Sequence, residues 1–192
     1  NEEGTLKTRE VLSGVEIHRP LNVNIVDTLP LIISEDLKRW GDRVQFFAAM
    51  HSHNILCASK LINDLIKKEG YDFHIIHAND WLSAEAGIIV RRNTGLPLIF
   101  HIHSTEQGRT MGNGSETIKH LERKAAEESN RVITVSYAMQ EELIQHGIPL
   151  EKIRVCWNGV DIEKYSPQNV RDENVQKLRS IGNTSLFLDI KI

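Results

Sequence analysis

Apolar residues alternate along this chain between two spacings. Short runs rich in Val, Ile and Phe are followed by stretches in which apolar positions recur every three or four residues, the helical period. GVEIHRP (14–20) and LNVNIV (21–26) are β-favouring runs with partial alternation, read as edge or connecting strands, and DTLP (27–30) breaks the pattern. A long helix is predicted over 44–68, with Ile55, Leu61, Ile62, Leu65 and Ile66 at helical spacing and Gly70 as its stop.

The order then becomes regular. FHII (73–76) reads as a strand, and Ser83 as the cap of a helix, SAEAGIIVRRN, that stops at Gly95. PLIFHI (97–102) is the next strand, followed by a polar loop, HSTEQGRTMGNGS, and a charged helix, ETIKHLERKAAEES. RVITV (131–135) is a strand, Ser136 caps YAMQEELIQHG, and KIRVCW (152–157) is the last clear strand, followed by NGVD. Strands and helices that alternate across short connections predict right-handed βαβ units. The expected fold class is therefore α/β, a Rossmann-like parallel sheet with helices on both faces, since the strands read as nearly continuous apolar runs.

Composition narrows the classes. The 192 residues are 40% hydrophobic and 26% charged with a net charge of −3, so no basic field points to nucleic acid as a partner. No apolar run approaches the ~20 residues of a transmembrane helix, and the polar NEEGTLKTRE start is no signal peptide. Cys57 and Cys156 are far apart in sequence and read as buried thiols in a reducing compartment, the cytoplasm. The chain begins without methionine and its first ten residues lack a core pattern. Beyond Pro167 it is polar, and it closes on a strand-like NTSLFLDIKI with nothing after it to pair with. It is expected to be a piece of a longer protein.

In an open parallel sheet, ligands bind outside the carboxyl ends of the strands. Each of the four clear strands ends in polar residues here: His77, Asn79 and Asp80; His103, Ser104, Thr105 and Glu106; Ser136; and Asn158 and Asp161. Neighbouring strands lie ~4.8 Å apart, so four such ends would line a cleft one or two sugar rings wide. Helix N-termini at Ser83 and Ser136 would favour a hydroxyl-rich or anionic guest. Arg109 is the one cation in the loop after His103, a lining that suits a neutral polyol. Simpler roles stand beside these: a satisfied core histidine at 103, a dipole-favoured charge at Asp80, a buried anchor at Trp81, a surface pair between Glu106 and Arg109, a cap at Ser136. A positive-φ turn at Asn158–Gly159 and a solvated charged face over 116–128 complete them. Two other function classes fit the same residues: a metal-dependent hydrolase using His77, His101 and His103, and a non-catalytic sugar-binding module.

HIIHANDWLSAEAG, PLIFHIHSTEQGR, NRVITVSYAMQEEL and KIRVCWNGVDIEKYSP together resemble the successive motifs of the group 1 (family four) glycosyltransferases, near the glycogen and starch synthases. The likeness is collinear from about residue 70 to 167; HANDW is similar to the family's H-x-H-D-W corner and NGVD to its interdomain hinge. The resemblance implies a GT-B architecture: residues 1–167 as part of the acceptor-side domain, and 168–192 as the start of the linker and donor domain. It implies transfer from a UDP- or ADP-glucose-like nucleotide-sugar to a hydroxyl of a sugar or polysaccharide, with retention, and with neither metal nor cofactor. By the same matching His103 faces the transferred sugar and Asp80 lies near the acceptor, as the catalytic residues. His77, Asn79, Ser104, Thr105, Glu106, Arg109 and Ser136 follow as substrate-binding candidates, and Asn158, Gly159 and Asp161 as the hinge. Two departures stand out. The family's opening strand with its glycine-rich loop has no counterpart, and neither has its second domain with a basic pair and an E-x7-E carboxylate pair, so this stretch alone is expected to be inactive.

Overall fold

The chain divides into two units, residues 1–157 and 158–192, and the computed structural model describes residues 6–21, 23, 25, 34, 39 and 41–165. The expected boundary after 167 and the strand-like end both fall outside the described residues. The first unit opens with a hairpin, β1 (Arg9–Leu12) antiparallel to β2 (Val15–His18). Ser13 and Gly14 turn it with φ of +50° and +81°, the two-residue geometry that matches strand twist. The sequence pattern finds β2 but misses β1, because Val11 and Leu12 both stay exposed and no buried face marks the strand. Leu21, Val23 and Ile25 belong to no strand, against the reading of LNVNIV; its other residues lie outside the described ones.

Helix α1 (Asp42–Ser59) runs on into a π-helical stretch, Lys60–Lys68, that ends before Gly70 at φ +75°. Its buried stripe is Asn54, Ala58, Ile62 and Leu65. Ile55, expected on that stripe, is 44% exposed. A buried polar residue has taken the position that the apolar period gave to an isoleucine.

The remaining elements are β3 (Ile76–Asn79), α2 (Asp80–Thr94), β4 (Leu98–Ile102), a single-turn α3 (Glu106–Arg109), α4 (Glu116–Glu128), β5 (Arg131–Thr134), α5 (Tyr137–Gln145) and β6 (Ile153–Val155). All four strands are parallel in the order β3-β4-β5-β6, an α/β fold of Rossmann-like type. Ala78, Phe100, Val132 and Ile153 form one cross-sheet row, and with Leu98 and Ile102 they pack against Ala84 of α2, Ala125 and Ala126 of α4 and Leu143 of α5. Among the described residues, the opposite face carries His77, Asn79, Ile99, His101, Ile133 and Arg154, none of them buried.

Strand β3 sits three residues later than the apolar run 73–76 suggests. Small residues decide the register. A Cβ on Gly87 of α2 would stand 3.0 Å from both Ala78 Cβ and Leu98 Cδ1, so the helix can lie this close only where glycine meets alanine. His77 and Asn79 are thereby strand residues on the less covered face rather than loop residues after the strand. The two thiols are free, but Cys156 is exposed and Cys57 only half-buried, so the expectation of two buried thiols fails. Burial pushes the Cys57 thiol up.

Candidate active site at the strand ends

The corner between β3 and α2 turns at Asp80, whose φ of +52° lies in the left-handed region. Aspartate tolerates that region better than most residues because its short polar side chain can bond locally. Here the bond is not local. Asp80 Oδ1 accepts the backbone N–H of His103 at 2.8 Å, joining the end of β3 to the end of β4. Helix α2 therefore begins at Asp80, with Asn79 in the cap position, and Ser83 is not its cap. The Ser83 hydroxyl instead donates to Asn79 O at 2.6 Å within the first turn. Trp81 is buried behind the corner, its ring 6.1 Å from Phe46 and 6.0 Å from Phe47 of α1.

Three imidazoles lie plane over plane on the less covered face of the sheet. His77 and His101 are 5.3 Å apart at 10°, and His101 and His103 are 4.1 Å apart at 26°. Burial holds the middle ring below its ordinary 6.5; its histidine neighbours reinforce the shift and Asp80 opposes it. A histidine depressed in the fold takes up protons more readily when unfolded. Its contribution to stability is therefore whole above pH 6.5 and is lost as pH falls from there toward the folded value. Thermal melts across pH 7.5 to 5 should show this decline, and His101→Gln should flatten it in that window.

The loop after β4 is built around two buried carboxylates. Thr105 caps α3 by accepting Gly108 N–H at 2.9 Å, and its hydroxyl donates to Glu142 Oε1 of α5 at 2.6 Å. Glu122 of α4 receives the Glu106 N–H at 2.9 and 3.0 Å on its two oxygens. The Arg109 guanidinium donates to Ser104 O (2.8 Å), Ser104 Oγ (2.7 Å), Glu106 Oε2 (3.0 Å) and Glu122 Oε1 (3.2 Å). Glu106 Oε1 accepts from Ser115 N–H at 2.8 Å, closing the loop. Burial alone would raise Glu106, but the Ser115 amide, Arg109 and Lys119 outweigh it and hold the carboxyl below its usual range. For Glu122 burial wins, and its carboxyl stands above that range. Glu106 and Arg109 are thus not an isolated surface pair, and the charged helix is not wholly solvated: Glu122 and Glu106 are each 8% exposed.

Ser136, two residues past β5, caps α5 by accepting Met139 N–H at 3.1 Å. In the second unit, Asp161 Oδ1 accepts the N–H groups of Glu163 and Lys164 at 3.1 and 3.0 Å, a turn-capping arrangement. Neither Asn158 nor Gly159 adopts a positive φ, so the expected left-handed turn at that pair does not form.

Residues 31–164, more than half the chain, match the sequence profile described as "Glycosyltransferase Family 4". The chain belongs to this family of glycosyltransferases. It is 30% identical over 140 residues to an uncharacterized glycosyltransferase of Methanocaldococcus jannaschii, covering 69% of this chain and 36% of that protein. It is 28% identical over 131 residues to a glycogen synthase of Mycobacterium tuberculosis, covering 66% and 32%. A D-inositol 3-phosphate glycosyltransferase of Mycobacteroides abscessus is 25% identical over 117 residues, covering 57% and 26%. The chain thus spans about a third of the length of these curated relatives.

Within this family 4 domain, one line is drawn at the strand ends. Asn79, Asp80 and His103 present partly or fully accessible groups there and His77 lies farther back, inside β3, whereas Thr105 and Glu106 are buried and Ser104 and Arg109 are bonded to each other. The metal-hydrolase reading meets a geometric obstacle. A zinc site needs ring nitrogens converging to about 2.0–2.1 Å from one point, and stacked planes hold them side by side. Among the described residues no group of three or more histidine, cysteine or acidic side chains could hold a metal ion. No helix among them is long and apolar enough to cross a membrane.

Sequence reasoning passed over three residues that shape this edge: Asn54, Glu122 and Glu142. Glu122 carried a signal, since it falls on the stripe of Ala125 and Ala126 at helical spacing. A carboxylate on a buried stripe calls for a partner, and Arg109 is that partner. Asn54 left no comparable mark.

Proposed function

We propose that this family 4 domain is the acceptor-side half of a cytoplasmic enzyme that moves a glycosyl group from a nucleotide-sugar to a hydroxyl with retention. The donor is a UDP- or ADP-glucose-like nucleotide-sugar held by a second domain, and the acceptor is a sugar or polysaccharide. The names of the glycogen-synthase and inositol-phosphate relatives support a polyhydroxylated acceptor. The observation that carries the reading is the bond from the His103 amide to Asp80, which gathers two strand ends 23 residues apart into one rim.

At that rim the His103 imidazole donates to a hydroxyl of the transferred sugar and stabilises charge as the glycosidic bond loosens. Asp80 sets the backbone from which that imidazole projects. Asn79 at the end of β3, and His77 on the far side of His101, offer accessible hydrogen-bonding groups suited to hydroxyls. Neither a metal nor an organic cofactor is required by these roles. Asn158, Gly159 and Asp161 serve as the passage to the donor domain.

The test is sugar transfer from UDP- or ADP-glucose by the full-length enzyme. His103→Ala should lower kcat by roughly 10²–10³-fold while the melting temperature stays close to that of the parent. Transfer undiminished in a folded His103→Ala enzyme would remove the assignment.

A further inference from the structure

We infer that Glu122, on the buried side of α4, is a positioning residue for His103, acting through Arg109 and the turn that follows β4; the catalytic part of this inference rests on the function proposed above. His103 is held from two directions. On one side its N–H meets Asp80 at 2.8 Å. On the other, the carbonyl of the following residue, Ser104 O, accepts from Arg109 Nη1 at 2.8 Å. Arg109 would be free to swing on its long side chain, but its other terminal nitrogen is engaged by Glu122 at 3.2 Å and Glu106 at 3.0 Å. Glu122 also grips the start of α3 directly, both oxygens on the Glu106 amide.

The clamp holds together because its parts depend on one another. A buried carboxylate is tolerated only with its hydrogen bonds made, and Glu122 has two donors: the Glu106 N–H, shared between its two oxygens, and Arg109. Its helix belongs to the core through Ala125 and Ala126, so it transmits the rigidity of the sheet to a glycine-rich turn. Gly114 completes the fit. A Cβ there would stand 2.6 Å from Glu106 Oε1, 2.6 Å from Glu106 Cγ and 2.6 Å from Thr110 Oγ1, inside the space the held carboxylate fills. The remote side chain thus fixes the carbonyl of the residue next to the reacting histidine, and a displacement of an ångström at such a place costs up to about 10²-fold in rate.

Two measurements separate this claim from the function it serves. Hydrogen exchange of residues 103–112 is followed in the parent, in Glu122→Gln and in Arg109→Gln, each checked for an intact fold by circular dichroism. Exchange in this segment should rise at least several-fold in both variants, while exchange in β5 and β6 stays as in the parent. Sugar transfer by the full-length enzyme should show kcat down roughly 10–100-fold with KM within about two-fold, and Arg109→Lys, which keeps the charge without the fork, should recover only part of it. Unchanged exchange in Arg109→Gln, the variant least prone to misfold because Arg109 is the more exposed partner, overturns the inference whatever the enzyme transfers. A rise in exchange with kcat unchanged overturns it as well. If the parent itself transfers no sugar, the function fails while the exchange arm still decides whether Glu122 holds the turn.

Discussion

Asp80→Ala is expected to lower sugar transfer by the full-length enzyme at least roughly 10²-fold, and Asp80→Asn by far less. Alanine removes the oxygen that receives the His103 amide, a charge-assisted bond of about 1.5–3 kcal/mol. It also places an ordinary side chain at φ +52°, a left-handed conformation that disfavours it by roughly 1–2 kcal/mol. Asparagine keeps an acceptor of the same reach and tolerates that backbone. Asp80→Gly separates the two effects, since it relieves the backbone but leaves the amide unpaired; it should be more stable than Asp80→Ala and no more active. Steady-state kinetics and thermal melts of the three variants provide the check. Equal activity of the alanine and asparagine variants would mean the hydrogen bond does not set the rim.

Asn54→Ala should destabilise the domain by about 2–4 kcal/mol, measured by urea unfolding. Few buried side chains here are so fully used. Its amide nitrogen donates to Met50 O and Leu82 O, both at 2.9 Å, and its oxygen accepts Ala86 N–H at 2.9 Å. Leu82 and Ala86 are four apart, so the amide stands between two backbone groups that would ordinarily bond to each other in α2. Truncation leaves a void and two unpaired backbone groups in the helix that starts at Asp80. Some loss of transfer should accompany the loss of stability. A cost below about 1 kcal/mol would show that α2 closes its own hydrogen bond once the amide is gone.

The sequence made the layered part of the fold legible because burial there follows the apolar period. Phe100, Val132 and Ile153 announce their strands, and Ser136 announces α5 with the cap it makes. Legibility fails wherever polar chemistry carries the structure. Strand β3 slipped because His77 and Asn79 read as loop, although alternation puts them on one face and Ala78 on the other. The loop after His103 read only as a polar loop with a surface pair in it, because its order comes from hydrogen bonds that join Glu106 and Arg109 to Glu122 of another element. At the candidate site, His77 sits inside β3 and not after it, whereas Asn79, Asp80 and His103 were legible from their place at strand ends. Which neighbours hold them there was not, since Asp80 acts on a backbone amide 23 residues away.

The most direct measurement is a double-mutant cycle on the transfer rate of the full-length enzyme, with Asp80→Ala, His103→Ala and the pair. If Asp80 works by setting the backbone under His103, removing it matters little once that imidazole is gone, and the pair should lose scarcely more than His103→Ala alone. Losses that simply multiply, with both single variants folded, would contradict the claim that these two residues form one site.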